Sequence, residues 1–317
     1  MTVSNVVNGR RHVRDETRVR VLEAIDRLGY RMNIAARSLR AGRTGVIGLA
    51  VPEINRPYFG HLAELLIERF EQQGMLVVVE QTGASREGEL DAVLFSRLRM
   101  YDGLVLSAVG LGESDIDLLR LDFPMVVIGE RIFDRNIDHV VMANVDAARA
   151  ATRHLLDLGC RRIVALGGAV GVPTSMPTLR TEGYRQALIE AGLTFHEELV
   201  ITSPLSMEQG VRGVHGLVDA GVEFDGIFCL TDTVAIGALR GLADVGRRVP
   251  ENVKVIGFDD VPEARFTVPT LSSVNPGHHE MVDAVVELLL RRIRGTSEGP
   301  QEFVGPFQVV ARASTSG

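Results

Sequence analysis

From residue 45 onward, short apolar runs alternate with longer amphipathic segments, and this alternation restricts the fold more than any other feature of the sequence. The runs are rich in Val, Ile and Leu, as is typical of strands that are buried on both faces. The segments between them have the apolar period of helices. The pattern indicates parallel strands joined by crossover helices. We predict strands at residues 45–51, 76–80, 103–107, 125–128, 139–142, 162–166, 226–230, 254–258 and 271–274.

Helices are predicted between these strands, and their number favours two lobes. The clearest amphipathic segments are residues 61–73, 146–158, 179–191, 207–220, 233–245 and 278–294. A chain of 317 residues exceeds one ordinary domain. Two doubly wound α/β lobes therefore fit the pattern better than one wide sheet.

The first 44 residues differ from the rest in charge and texture. They contain ten arginines and four acidic residues, which gives this segment a net charge of +6. Since the whole chain has a net charge of −7, the remaining residues have a net charge of −13. Residues 2–8, 15–28 and 33–41 have helical periodicity. A basic end on an acidic body is typical of a phosphate-binding segment that contacts nucleic acid. A solvated basic face is the alternative.

The sequence also restricts the compartment. No apolar run approaches the roughly 18 residues that a membrane span needs, and the first residues are polar and arginine-rich, unlike a signal peptide. Cys160 follows a helix-like stretch and Cys229 lies in the apolar run 227–230, so both are interpreted as small buried residues under reducing conditions. We expect a cytoplasmic protein.

Several segments, in order along the chain, resemble the LacI/GalR family of bacterial transcription regulators. They are residues 2–8, 13–18, 28–33 and 36–39 in the first part, and 46–49, 159–163, 179–184, 231–238, 255–260 and 271–274 in the body. Each motif is common by itself, and the resemblance depends on their order and spacing over essentially the whole chain.

The resemblance implies an α/β fold of two doubly wound parallel-sheet lobes of the periplasmic-binding-protein type, after a small all-α DNA-binding headpiece and a hinge helix. Residues 1–44 would form the headpiece and hinge, and residues 45–317 the effector-binding and dimerisation body. The first lobe is expected at about 45–142 and 275–304, and the second at about 143–274 and 305–317. Relatives with this tail dimerise, so a homodimer is expected.

The implied function is sequence-specific regulation of transcription, with a repressor as the expected form and a small molecule between the lobes controlling operator affinity. The DNA-contacting positions that the resemblance implies are Thr2, Ser4, Asn5, Asn8, His12, Thr17, Asn33, Arg37 and Leu39. An asparagine can bond adenine through two atoms, which gives Asn5 a role in base readout. Leu39 would act as an apolar wedge in the minor groove, or else as the core contact of a short amphipathic helix.

One departure concerns the start of the headpiece. In the family a first helix and turn precede the Thr-Val-Ser motif, whereas Met1 stands directly before Thr2 here. We therefore expect the headpiece of this sequence to be incomplete and to bind DNA weakly, mainly through the salt-sensitive attraction of its arginines.

The effector is expected where loops follow the carboxyl ends of parallel strands. The residues that fall there are Asn55, Tyr58, Phe59, Glu130, Arg180, Thr231, Asp232, Asp259 and His278. Arg and Asp side chains can hold neighbouring hydroxyls, and an aromatic ring can cover the apolar face of a sugar. A sugar or sugar phosphate is the first expectation, and a nucleoside, polyol or acid remains an alternative because Thr231 and Leu205 depart from the usual sugar-binding pattern.

Two other classes of protein fit part of this pattern. A solute-binding protein of the periplasmic sugar-binding type would share the body, but it should have a signal peptide and no arginine-rich front. An enzyme of doubly wound fold would need a catalytic constellation, and no nucleophile, base and orienting acid can be assembled by motif. We expect a regulator that is not an enzyme, has no cofactor and binds no metal.

Overall fold

The computed structural model describes residues 6, 14–27, 43–98, 100–119, 123–130, 137–171, 175–296 and 298–316. The chain divides into two compact units, Met1–Thr44 and Gly45–Gly317. In the first unit one complete helix is described, α1 (Asp15–Arg27), with Asp15 and Glu16 in its first turn and Arg27 in its last. These charges complement the helix dipole.

The second unit begins with a six-stranded parallel sheet. Its strands are β1 (Val46–Val51), β2 (Leu76–Gln81), β3 (Gly103–Ser107), β4 (Met125–Ile128), β5 (Asp138–Met142) and β11 (Glu302–Gly305). Their spatial order is β11-β5-β4-β3-β1-β2. The helices that belong to this lobe are α2 (Pro57–Glu71), α3 (Arg86–Arg97), α4 (Ile116–Leu119) and α9 (His278–Ile293).

A second lobe is built around a four-stranded parallel sheet in the order β7-β6-β8-β9. Its strands are β6 (Ile163–Leu166), β7 (Val200–Ile201), β8 (Gly226–Cys229) and β9 (Lys254–Ile256). Its helices are α5 (Asn144–Asp157), α6 (Met176–Glu190), α7 (Met207–Asp219) and α8 (Asp232–Asp244). A separate antiparallel pair joins β10 (Ser273–Asn275) to β12 (Gln308–Val310).

Both large sheets are covered by apolar side chains on their two faces. In β3, Val105 joins one buried cluster, whereas Leu104 and Leu106 join the cluster on the opposite face. In β8, Ile227 and Phe228 divide between two clusters in the same way. Central strands such as β3 and β8 are buried along their whole length and therefore need apolar residues on both faces, which is why the sequence shows continuous runs there. The predicted α/β class with two doubly wound parallel sheets is confirmed.

The chain passes between the lobes three times. It crosses from β5 to α5 at Ala143, from β10 to α9 at residues 276–277, and from β11 to β12 at residues 306–307. The last two crossings touch: Gly277 has φ +75, and a Cβ there would lie 2.5 Å from the Pro306 carbonyl oxygen. Only glycine fits this approach without strain.

The structure differs from the sequence prediction at helix starts and sheet edges. α2 begins at Pro57 and α6 has Pro177 in its first turn, ahead of the apolar periodicity that the prediction relied on. The structure also adds helix α3, which starts from a Ser85 cap, and the short strands β7, β11 and β12. These strands are too short, or too exposed on one face, to show as apolar runs.

Candidate functional site

A cavity of about 320 Å³ lies between the two lobes of the second unit. Its walls come from the segments that follow β1, β3, β4 and β9, and from the first turn of α6. The carboxyl ends of several parallel strands thus meet at one place, which is where open α/β sheets bind ligands. The polar residues in this wall include Tyr58, Glu130, Arg180, Thr231 and Asp259.

Arg180 occupies the centre of the polar wall. It sits one turn into α6, and its side chain is only 3% exposed. Its Nε donates to Asn144 Oδ1 at 2.7 Å, and its Nη1 donates to the Leu230 carbonyl and lies 3.4 Å from Asp259 Oδ1. Its Nη2 lies 3.2 Å from the sulfur of Met142. These bonds fix the orientation of the guanidinium before any ligand arrives.

Asp259 follows β9 in an unusual backbone conformation. Its φ is 111°, a region that side-chain-bearing residues rarely adopt, and its N–H donates to the Val274 carbonyl at 2.9 Å. Such strain is retained where the surroundings enforce it, most often at functional sites. Burial raises the pKa of the Asp259 carboxyl to about 7, while the charge of Arg180 lowers it. The group therefore titrates close to neutral pH.

Asn144 links the two lobes beneath the cavity. It is buried at the first residue of α5, directly after the first crossing. Its Nδ2 donates to Glu130 Oε1 at 2.7 Å, and its Oδ1 accepts from Arg180. A single amide thus connects an acidic residue of one lobe to the central arginine of the other. Sequence reasoning missed Asn144; its position at the crossing was the one available signal.

Tyr58 and Phe59 form an aromatic part of the wall at the start of α2. Their ring centroids are 5.1 Å apart in an edge-to-face arrangement. Burial raises the pKa of the Tyr58 phenol, and the carboxylates of Asp259 and Glu130 raise it further. The Tyr58 hydroxyl therefore stays protonated and can donate a hydrogen bond to a ligand.

Three of the predicted effector residues lie outside the cavity wall. Asn55 is exposed in the turn after β1, and Arg56 lines the cavity in its place. Asp232 is fully buried beneath the Asp259 turn, where it accepts from Val261 N at 2.9 Å and from Ser273 Oγ at 2.6 Å. Burial, followed by the charge of Asp259, raises its pKa well above the ordinary value.

His278 also supports the cavity from behind. It is 4% exposed, and its Nε2 bonds to the backbone carbonyl of Asp259. Since a carbonyl only accepts, Nε2 carries the proton in this contact. Burial lowers the pKa of His278, which favours the neutral ring. The remaining predictions, Tyr58, Phe59, Glu130, Arg180, Thr231 and Asp259, come together in one wall.

The DNA-contacting predictions cannot be placed in the same way. Thr17 lies in α1, where it is half-buried. The other positions, Thr2, Ser4, Asn5, Asn8, His12, Asn33, Arg37 and Leu39, lie outside the described residues.

Comparisons with known proteins agree with this architecture. The profile of bacterial regulatory proteins of the lacI family matches residues 1–33, and that of the periplasmic binding protein-like domain matches residues 152–315. The ribose operon repressor of Haemophilus influenzae is 30% identical over 99% of this chain and 94% of its own length.

Solved structures give the same result. A chain from Sanguibacter keddieii, assigned as a transcriptional regulator of LacI family, is 42% identical with a TM-score of 0.80 and covers 87% of this chain and 100% of that chain. The complex of transcriptional regulator CelR with cellobiose is 28% identical with a TM-score of 0.76 and covers 98% of this chain and 94% of that chain.

Two parallel-sheet lobes around a shared cleft define a ligand-binding body of the periplasmic-binding-protein type. The chain belongs to the lacI family of bacterial regulatory proteins. It is a DNA-binding regulator of transcription under the control of a small molecule, as the sequence resemblance predicted. Among the described residues, no helix has both the length and the apolar character for crossing a membrane.

Proposed function

We propose that residues 1–44 bind operator DNA and that a small sugar-like effector, bound in the cleft of residues 45–317, sets the strength of that binding. The observation that carries this proposal is the cavity of about 320 Å³ between the lobes, with Arg180 and Asp259 in its wall. Its walls belong to both lobes, so an occupant contacts both. The ribose operon repressor and the CelR–cellobiose complex support a sugar as the occupant.

We take the body to exchange between an open and a closed arrangement of its two lobes, and the control follows from the difference in effector affinity between them. A ligand shifts an equilibrium only by its differential affinity for the two states. A sugar that bridges Tyr58 and Glu130 of one lobe and Asp259 of the other makes all its bonds only when the lobes are closed. The effector therefore favours the closed body, and the chain acts in the cytoplasm as a repressor whose operator affinity changes with that closure.

Melting and DNA-binding measurements on the full chain test this function. D-ribose and cellobiose are each added at increasing concentration. A sugar that binds the folded chain should raise the melting temperature progressively as its concentration exceeds its Kd. Fluorescence anisotropy at low salt should show weak binding to both a palindromic site from the gene's own promoter and the same bases scrambled, with the palindromic site bound more tightly. Equal binding to both DNAs, with no sugar that raises the melting temperature, contradicts the proposal.

We further propose that the chain works as a homodimer. Several large apolar side chains are exposed near the end of α3, among them Phe95 (50%), Leu98 (67%) and Met100 (57%), and Phe266 of the second lobe is 84% exposed. Exposed apolar patches of this kind mark interaction sites. A twofold dimer would bury them against their own copies and would supply one headpiece to each half of a palindromic operator.

Replacement of Phe95 and Leu98 by arginine should convert the dimer into a monomer. Two charges buried at a symmetric interface meet their own copies, so the repulsion counts twice. Light scattering at micromolar concentration measures the mass, and circular dichroism checks that the variant is folded. Ile189→Arg is the control. Ile189 is also exposed, but it lies at the end of α6, outside the proposed interface, so the substitution should leave the dimer intact. A wild-type monomer at this concentration would exclude the proposal.

A further inference from the structure

We infer that the effector is an uncharged, hydroxyl-rich molecule that has neither a phosphate nor a carboxylate group. This inference rests on the proposed function of the cleft as an effector site. It follows from how the charged groups are already used among the wall residues that the structure describes: the cations are committed to partners within the protein, whereas the carboxylates keep unused acceptor atoms.

Arg180 is held in one orientation by bonds within the protein, and most of its N–H donors are not available to an anion. Of its five N–H donors, one bonds to Asn144, two point to the Leu230 carbonyl and to Asp259, and one points to the sulfur of Met142. The guanidinium also covers the ring of Phe258, with 3.4 Å from Cζ to the ring centroid. Arginine most often binds a phosphate through two parallel N–H donors, and Arg180 has a single N–H left.

Among the described residues of the wall, Arg56 is the other cation, and it too has an acidic partner. Its Nε forms an ion pair with Glu53, and the side chains of the pair are 34% and 35% exposed. The pair is neutral as a whole and is open to solvent. It offers an anionic ligand little net attraction, because water screens a half-exposed charge.

Two carboxylates face the same space with oxygens to spare. Glu130 uses Oε1 for Asn144, and Asp259 has Oδ1 near Arg180. Among the described residues, neither Glu130 Oε2 nor Asp259 Oδ2 has a hydrogen-bond partner. Acceptors of this kind suit ligand hydroxyls, which donate. An anion in the same place would meet the carboxylate of Glu130 and, above a pKa of about 7, that of Asp259 across a largely apolar cavity.

Helix N-termini are another kind of site where an anion could bind, and those of α6 and α8 lie beside the cavity. α6 has Pro177 in its first turn, which removes one N–H donor. α8 is capped by Thr231, whose hydroxyl accepts from Val234 N at 3.3 Å, and the Asp232 carboxyl occupies its first turn. Apolar residues make up much of the wall, among them Phe59, Met142, Met176, Pro177 and Leu205. The cavity thus favours a neutral polyol with one apolar face.

Calorimetry of the full chain with matched pairs of sugars tests the inference. The pairs are D-ribose with D-ribose 5-phosphate, and cellobiose with cellobiose 6′-phosphate. We expect the neutral member of a binding pair to bind at least tenfold more tightly than its phosphorylated partner. A phosphorylated member that binds more tightly overturns the inference. Binding of neither member of either pair contradicts the sugar effector of the proposed function itself, which is a separate result.

The variant Glu130→Gln makes the test specific to the site. It should weaken binding of the neutral sugar at least threefold. It should also reduce the ratio of the affinity for the neutral sugar to that for the phosphorylated sugar, since it removes one negative charge from the wall. Glu64→Gln makes the same charge change on the exposed surface of α2, where the Glu64 side chain is 65% exposed, and it should leave both affinities unchanged. An unchanged preference in Glu130→Gln overturns the role given to this carboxylate.

Discussion

Arg180→Leu should lower the free energy of unfolding by about 3 to 5 kcal/mol and weaken effector binding at least tenfold, because it breaks a buried ion pair and leaves Asp259 in the cavity wall without its cation. The substitution also removes the hydrogen bonds that Arg180 donates to Asn144 Oδ1 and to the Leu230 carbonyl. Denaturant melts and calorimetry with a bound sugar measure the two effects.

Arg185→Leu is the matched control on the same helix. The Arg185 side chain is 44% exposed and pairs with Glu182, so its loss should change stability by no more than about 0.5 kcal/mol and leave effector binding unchanged. Equal effects of the two substitutions would contradict the central role of Arg180.

The effect of Arg180→Leu should also depend on pH. Burial raises the pKa of Asp259 to about 7 in the presence of Arg180, which lowers it, so the pKa should rise further in the variant. A folded-state pKa above the unfolded value means that stability is present at low pH and is lost as the pH rises through the folded pKa. The stability difference between wild type and variant should therefore be larger at pH 8 than at pH 6. A constant difference would show that the Asp259 charge is not what the arginine compensates.

Gly237→Ala should lower the free energy of unfolding by about 3 kcal/mol, at the upper end of overpacking effects. A Cβ at Gly237 of α8 would lie 2.0 Å from the Met207 carbonyl oxygen and 3.0 Å from the Gly210 Cα of α7. These atoms belong to backbone, so α7 and α8 must move apart. Because α8 begins beside the cavity at Thr231, the effector affinity should fall as well. Urea titration and calorimetry measure both changes.

Gly216→Ala provides the opposite expectation on α7. Nothing lies within 4 Å of a Cβ at this exposed helical position. The substitution should raise stability by about 0.5 to 1 kcal/mol, since alanine is the better helix former. A loss of stability in Gly216→Ala similar to that in Gly237→Ala would contradict the account, because helix propensity favours alanine at both positions and only the close helix contact at Gly237 should reverse that gain.

The lobes and the main polar residues of the cleft could be predicted from sequence because they depend on local patterns. Apolar runs marked the buried strands, and a position just after a strand marked Asp259. The direction in which a side chain points is harder to predict than its place after a strand. Asp232 also follows a strand, but it lies in the first turn of α8 and points beneath the Asp259 turn toward Val261 N and Ser273 Oγ.

Residues that act between distant segments could not be recognised from sequence. Asn144 matters because Glu130 and Arg180, 14 and 36 positions away, both reach it. Arg56 replaces Asn55 in the wall because α2 begins at Pro57, and a shift of one residue in a turn reverses which side chain faces the cleft. Only the folded arrangement of the two lobes decides such contacts.

The central claim is that occupancy of the cleft and binding of DNA are coupled within one chain. The direct measurement is a thermodynamic cycle on the full chain at low salt: operator affinity with and without saturating sugar, and sugar affinity with and without saturating operator. Linkage requires both ratios to be equal. We predict that both affinity ratios equal a common factor of at least fivefold in the wild type. In Arg180→Leu, with sugar and operator at the same fractional saturation as in the wild type, the factor should be close to one. A sugar that binds the cleft and leaves operator affinity unchanged would contradict the account.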